Sequence, residues 1–386
     1  MSDPQTRKLS HYFTHSKRKG RPGLPLASVT MNDGLVLRED MDRKMDTSLS
    51  DEEHSLVEPG DIAYNMMRMW QGAFGLASAP VNVSPAYVVM RAKPTLDPSF
   101  AAHWLKSDRA LYLLWAYSYG LTDDRLRLYP KEFLQIPVQW PDLAEQQRIA
   151  AALDAWDEAI ATADKLCSSL SVRHRALIAQ LSSLPDTPKF ELDTFAQRAS
   201  AQTPVSPQTP WSIELENVEA GTGRLLSRTP TQSLNGMRIR FQATDTLFGK
   251  LRPYLRKFYF AEADGVASTE FWVFRADKKR CRPKFLYFLL QSNAFAAQAN
   301  KPTGSRMPRA DWSIVSSTPL PLPTIPKQDA LLEALETGEM GLQSQRNLVA
   351  LLRDQKRALM QKLLTGQLPV PESIDALLLE TRKLAS

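Results

Sequence analysis

The chain has 386 residues, 43% hydrophobic and 23% charged, a globular composition long enough for two or more domains. Its two cysteines, Cys167 and Cys281, sit in no metal-type spacing, which argues against a disulfide framework or structural zinc and for a reducing cytoplasm. The net charge of +6 favours a polyanionic partner. The most apolar run, "ALYLLWAYSY" (110–119), is too short to span a bilayer, so a soluble, cytoplasmic protein with no membrane partner is expected.

The N-terminal "RKLSHYFTHSKRKGR" is polar and basic, with no apolar core of a signal peptide behind it. Strand signals follow, notably "AYVVM" (86–90), then a helical segment at 99–119. After the proline-rich "QIPVQWPD" comes a long helix. Its positions Ile149, Leu153, Trp156, Ile160, Ala163, Cys167, Leu170, His174, Leu177 and Leu181 step by four and three without a break, the spacing of a coiled coil. The second half repeats the order: "FWVF" (271–274), a helical segment at 283–299, "PLPLPTIPK", and a helix ending before Gly366.

The halves also match residue by residue. "HRALIAQL" (174–181) returns as "KRALMQKL" (356–363) at an offset of 182, which also pairs Gln146 with Gln328 and Leu153 with Leu335. Upstream, an offset of 184 pairs Asp61 with Asp245, Arg68 with Arg252, Phe74 with Phe258 and Arg91 with Arg275, and an offset of 189 puts "SVTMNDG" (28–34) on "NVEAGTG" (217–223). The chain reads as a tandem duplication with loop insertions. The two helices either pair with each other, antiparallel about a pseudo-two-fold axis, or pack each on its own domain. Cys167 on the seam reads as a small core residue. His174 and Lys356 share one seam position and read either as a register-setting polar contact or as a frayed or partner-facing end.

No P-loop, H-E-x-x-H, C-x-x-C or G-x-S-x-G motif is present. "DPSF" (97–100) faintly resembles the Asn/Asp-Pro-Pro-aromatic signature of amino-methyltransferases but lacks the second proline and a Gly-rich cofactor loop. "AGTGR" (220–224) reads as a turn, and Asp123–Asp124 as solvated loop residues. Recognition or scaffolding fits better than catalysis.

"EPGDIAYNMMR", "VSPAYVVMR", "IPVQWPDLAEQQRIAAALDAWDEAI" and "KRALMQKLLTGQL", in this order, resemble the specificity subunit of type I restriction–modification systems over nearly the whole chain. Glu145–Gln146 match that family's Glu-Gln at the start of its conserved helix, and "TGSRMPRADW" (303–312) its Gly-containing segment before the second helix. "YGLTDDRLRLYPKEF" is longer than the family's pattern, and the second Glu-Gln position reads Lys327–Gln328.

The resemblance implies an α+β fold in which two repeat-related mixed α/β target-recognition domains are joined by two long antiparallel coiled-coil helices. The expected limits are 1–139 for the first domain, 140–185 for the first spacer helix, 186–323 for the second domain, 324–367 for the second helix and 368–386 for a C-terminal tail. It implies a DNA-binding, non-catalytic subunit of a DNA methylation complex, each domain reading one half of a bipartite target in double-stranded DNA. DNA adenine methyltransferase subunits dock on the helices, at exposed positions such as Arg148, Asp157 and Glu158, and a restriction translocase subunit joins for cleavage. No cofactor is expected in this chain; S-adenosylmethionine, ATP and Mg belong to the partner subunits. The rivals are a degenerate methyltransferase, against which the missing cofactor loop argues, and a coiled-coil adaptor that binds only proteins.

The candidate DNA contacts lie in the gap-free match of "NMMRMWQGAF" (65–74) to "GKLRPYLRKF" (249–258): Asn65, Arg68, Trp70 and Gln71 in the first half, Lys250, Arg252, Tyr254, Arg256 and Lys257 in the second. Arg suits guanine O6/N7, and Asn or Gln suits adenine. The alternative is a strand with core aromatics and solvated arginines. Ser305, Arg306 and Arg309 in the loop before the second helix complete the set. Residues 245–284 hold ten Lys/Arg against five Asp/Glu, and residues 61–100 three against two. The second domain is therefore expected to be the stronger phosphate binder.

Overall fold

A computed structural model describes residues 5–41, 48–122, 125–205, 209–301, 307–371 and 374. Its contacts divide the chain into two units, Met1–Thr162 with Val349–Ser386, and Ala163–Leu348.

The first unit has two four-stranded sheets. Its strands are β1 (Phe13–Ser16), β2 (Leu26–Val29), β3 (Leu35–Leu37), β4 (Ser55–Val57), β5 (Ile62–Asn65), β6 (Phe74–Leu76), β7 (Val81–Val83) and β8 (Tyr87–Ala92). One sheet runs β1-β8-β5-β6, all antiparallel, and the other β3-β2-β7-β4 with β2 and β7 parallel. Helices α1 (Pro98–Leu105), α2 (Asp108–Ala116) and α3 (Pro130–Phe133) follow. The single helical segment expected at 99–119 is thus two helices. The break is chemical: Ser107 caps α2 by accepting the Ala110 N–H (3.2 Å). "DPSF" is a helix start, with the Asp97 carboxylate accepting the Phe100 N–H (2.8 Å) and Pro98 in the first turn.

In the second unit, strands β9 (Ala196–Ala199), β14 (Thr246–Gly249), β15 (Phe258–Phe260) and β17 (Phe271–Ala276) form a sheet of order β9-β17-β14-β15. Between them come β10 (Gln202–Pro204), β11 (Trp211–Ser212), β12 (Thr229–Pro230), β13 (Met237–Phe241) and β16 (Gly265–Ser268). Adding 184 to the β5 pairs Ile62–Met90 and Ala63–Gly75 gives the β14 pairs Thr246–Phe274 and Leu247–Tyr259, so register as well as strand order is the same.

The long helices α4 (Leu143–Gln180) and α8 (Ile325–Leu364) flank three short ones, α5 (Pro283–Leu289), α6 (Asn293–Ala299) and α7 (Trp312–Ser316). Every expected seam position on α4 and just beyond it is buried or half-buried, and so is its match 182 residues on. In the first unit Ile149 and Leu153 share a core with Leu359 and Leu363. In the second the Gln345 amide donates to the Ala163 carbonyl (3.0 Å) while Gly338 lies against the His174 ring, so α8 runs antiparallel to α4 there. Gly366, with φ of 71°, turns the chain out of α8.

Gln146 and Gln328, fully buried, start these helices. Gln146 accepts the Asp97 N–H (3.0 Å) and donates to the Pro141 carbonyl (2.9 Å). Gln328 accepts the Arg282 N–H (2.7 Å) and donates to the carbonyls of Arg280 and Pro323 (both 2.8 Å). The repeated glutamine thus ties each long helix to the entry of α1 or α5. The repeated Asp61 and Asp245 are structural as well, with Asp245 held by both arms of Arg275 (2.8 and 2.6 Å) and Asp61 by Arg18.

Aromatic side chains fill both cores. Trp140 meets Tyr12, Phe13, Phe100 and Trp104 in the first unit, and Phe248, Phe258, Phe274 and Phe295 meet in the second. Burial pushes the Cys281 thiol up to about 12, which leaves it a poor nucleophile at neutral pH. Among the described residues no helix is long and apolar enough to cross a membrane.

Candidate nucleic-acid interface

The two matched segments are the loops joining β5 to β6 and β14 to β15, not strands. In the first, Asn65 accepts the Met67 N–H on its side-chain oxygen (3.0 Å), and a 3-10 turn at Met69–Gln71 points Met69 into the core. Gly72, with φ of 89°, then reverses the chain. Arg68 and Gln71 are left exposed and joined, guanidinium to side-chain oxygen, at 3.0 Å. Trp70 is half-buried and donates its indole N–H to the Met67 carbonyl (3.2 Å). Arg68 and Gln71 therefore face solvent, while the polar groups of Asn65 and Trp70 shape the loop.

In the second loop Lys250 is half-buried and Arg252 and Tyr254 are exposed. Arg252 has left-handed backbone (φ 51°, ψ 60°), set by buried Pro253 opening the next turn and by its own N–H donating to the Pro308 carbonyl (2.8 Å). Its side chain has no hydrogen bond or ion pair among the described residues. Arg256 is also left-handed (φ 50°) and gives a guanidinium N–H to the Gln291 carbonyl. Lys257, another of the candidate DNA contacts, donates its ammonium to the Leu215 carbonyl (2.6 Å). Arg309 is paired through two 3.2 Å hydrogen bonds with Glu270. Ser305 and Arg306 lie outside the described residues, as do Asp123 and Asp124.

A second stretch of chain backs each loop, and sequence reasoning missed this. The Leu128 N–H donates to the Met66 carbonyl (2.9 Å), and the matching Ala310 N–H to the Lys250 carbonyl (2.9 Å). In the first unit this brings to the loop the segment where Tyr119 bridges Arg127, in which Tyr119, Arg125 and Arg127 are exposed. In the second it brings up Arg309, bridged to Leu251. The offset of 182 pairs Arg127 with Arg309 and is the signal that could have found the former.

One further cluster is polar but tied up. His103, buried, lies 2.7 Å from Asp154 and 3.9 Å from Asp157, and Lys356 reaches Asp157 at 2.5 Å. The ammonium neutralises Asp157 and clasps α1, α4 and α8 together within the first unit. Two of the three positions expected to be open for docking are thus engaged internally: Asp157 here, and Arg148 in a 2.8 Å pair with Glu145.

No family model and no curated protein matches the sequence. Solved structures do match in fold. One is a chain from work on complex assembly and conformational transition of the type I R-M system, at 14% identity and a TM-score of 0.56, covering 95% of this chain and 99% of that one. Another is the type I restriction–modification system S subunit from M. genitalium, at 14% identity and a TM-score of 0.55, covering 93% and 95%. Over nearly its whole length the chain has the fold of a type I restriction–modification S subunit.

Proposed function

We propose that the chain is the DNA-recognition subunit of a type I restriction–modification complex, non-catalytic itself, with each unit reading one half of a bipartite duplex target. The observation that carries this is the pair of loops at equivalent places in the two units, each presenting arginine and an aromatic or amide side chain to solvent, on a fold shared with S subunits over almost its full length. In the first unit Arg68, Gln71 and Arg127 are the base-reading side chains; in the second, Arg252 and Tyr254, with Arg309 held in place by Glu270. Unequal side chains in equivalent loops suit unequal half-sites.

In this reading α4 and α8, about 57 and 60 Å long at 1.5 Å per residue, set the separation of the half-sites. Methyltransferase subunits dock on the same helices, which expose Leu166, Val172, Met340, Leu348 and Leu351. The test is co-expression with a type I adenine methyltransferase subunit, followed by mapping of methylated adenines across the host genome. Methylation confined to one split sequence is the expected result. Methylation without sequence preference, or methyl transfer by this chain alone, would refute it.

A further inference from the structure

The second unit holds a cleft of about 370 Å3, in the lower range of ligand-sized sites of about 300–1,000 Å3. It is lined by Arg175 near the end of α4, Arg256 and Phe258 at the end of the β14–β15 loop, Gly221, and Gln291 and Asn293 ahead of and within α6. Among the described residues no acidic side chain lines it. Glu219, two residues before Gly221 in the chain, spends its carboxylate on Thr222 (2.6 Å) and Arg224 (3.2 Å).

Two features of Arg256 call for an anion. Its guanidinium is half-buried, and among the described residues its partner is the neutral Gln291 carbonyl. Burial and then the nearby charge of Arg175 push its pKa down, and the two cations line one cleft with no counter-charge among the described residues. The backbone at Arg256 is left-handed, which a side chain adopts at a cost. The matching position in the first unit, 184 residues earlier, is Gly72, also left-handed (φ 89°), where glycine meets the turn without strain. The second unit alone places a guanidinium there.

We infer that the Arg175–Arg256 cleft is an oxyanion site that takes a phosphoryl group, with the two guanidinium forks closing on its oxygens. The phosphodiester backbone of duplex DNA is one source and a soluble phosphate compound the other. The DNA source rests on the DNA-recognition reading; the site itself does not. Because a phosphate contact carries no base information, it would add affinity without adding specificity.

The experiment uses the full chain and three variants: Arg256→Gly, which keeps the backbone that Gly72 already tolerates, Arg175→Gln, and both together. In the first arm inorganic phosphate is titrated calorimetrically; the wild type is expected to show saturable binding that each variant loses. In the second arm cognate and unrelated duplexes are titrated over a range of salt. Each contact with a DNA phosphate should make the slope of log K against log[salt] less steep by about 0.9 on mutation, equally for both duplexes. The methylated sequence should not change.

Loss in both arms assigns the site to DNA, and loss in the DNA arm alone does the same. Loss in the phosphate arm alone assigns it to a soluble phosphate compound. If the double variant, folded by its melting curve, matches the wild type in both arms, the inference is wrong. Sequence-specific methylation surviving that result would leave the DNA-recognition reading intact. If Arg256→Gly fails to fold, the exposed Arg175 carries the same test.

Discussion

Arg252→Ala separates reading from folding more cleanly than any other change in these loops. The Arg252 side chain is exposed and has no side-chain partner among the described residues, and its backbone hydrogen bonds, the N–H to the Pro308 carbonyl and the carbonyl from the Leu255 N–H, survive in alanine. The stability change should stay within about 0.5 kcal/mol, as for surface substitutions generally. If the guanidinium makes two hydrogen bonds to a guanine, its removal should cost about 1–3 kcal/mol, or roughly 5- to 150-fold in Kd. The assay is fluorescence anisotropy on duplexes substituted one base pair at a time, with methylated-adenine sequencing as the readout in cells. Discrimination should collapse at one base pair in one half-site and hold at the other. Arg68→Ala should act likewise at the opposite half-site, though it also frees Gln71 from its 3.0 Å contact. An equal loss on every duplex would make Arg252 a phosphate ligand, and a loss of discrimination in both half-sites would defeat the two-reader reasoning.

Three further outcomes follow from packing and charge. Gln328→Ala should destabilise by at least about 2 kcal/mol, since it orphans the buried Arg282 N–H and two carbonyls at about 1–3 kcal/mol per group; the denaturant midpoint measures this, and an unchanged midpoint refutes it. Gly338→Ala should destabilise despite alanine's helix preference of about 1 kcal/mol, because its Cβ would come 2.8 Å from the His174 ring nitrogen. Adding His174→Ala should then recover more than the two single changes sum to, as a double-mutant cycle would reveal. At Asp154 burial pulls the carboxyl pKa up, but hydrogen bonds from His103 and Ser99 outweigh it and hold the group below the usual range. A depressed carboxylate stabilises above its unfolded pKa near 3.8, and the contribution fades as pH falls through the folded value. The melting temperatures of wild type and Asp154→Asn should therefore differ at pH 6, begin to approach one another only below the unfolded value near 3.8, and converge once pH has fallen through the lower folded value.

Periodicity and the repeat made part of this molecule legible. The four-three spacing marks the buried face of both long helices because burial on a helix follows the spacing directly, and "AYVVM" and "FWVF" mark central strands because β-branched and aromatic residues fill a sheet buried on both faces. The offset of 184 carries strand register as well as position. What stayed hidden depends on contacts between segments far apart in the chain. Arg252 and Arg256 look alike in "GKLRPYLRKF", yet buried Pro253 and the segment arriving at Pro308 leave one in solvent, while the Gln291 carbonyl draws the other into a cleft. Lys257 reads as a free cation until the Leu215 carbonyl arrives from 42 residues away. Arg127 was obscured because its segment departs from the expected pattern in length.

Of the two polar seam positions, Lys356 makes a polar contact, whereas the buried His174 Nδ1 has no hydrogen-bond partner among the described residues. Lys356 meets Asp157 at 2.5 Å, and the repeat-equivalent acid, Glu339, raises the His174 pKa against a larger lowering by burial. Glu339 also pairs with Lys284 at 2.8 Å; the second residue of α1, equivalent to Lys284 in α5, is the uncharged Ser99. Each half thus keeps an acid opposite the other half's basic seam residue. One arrangement is a direct ion pair, and the other is a buried imidazole beside a glycine. The acid position is occupied in both halves, but it makes an ion pair in one and, among the described residues, leaves the imidazole Nδ1 without a hydrogen bond in the other.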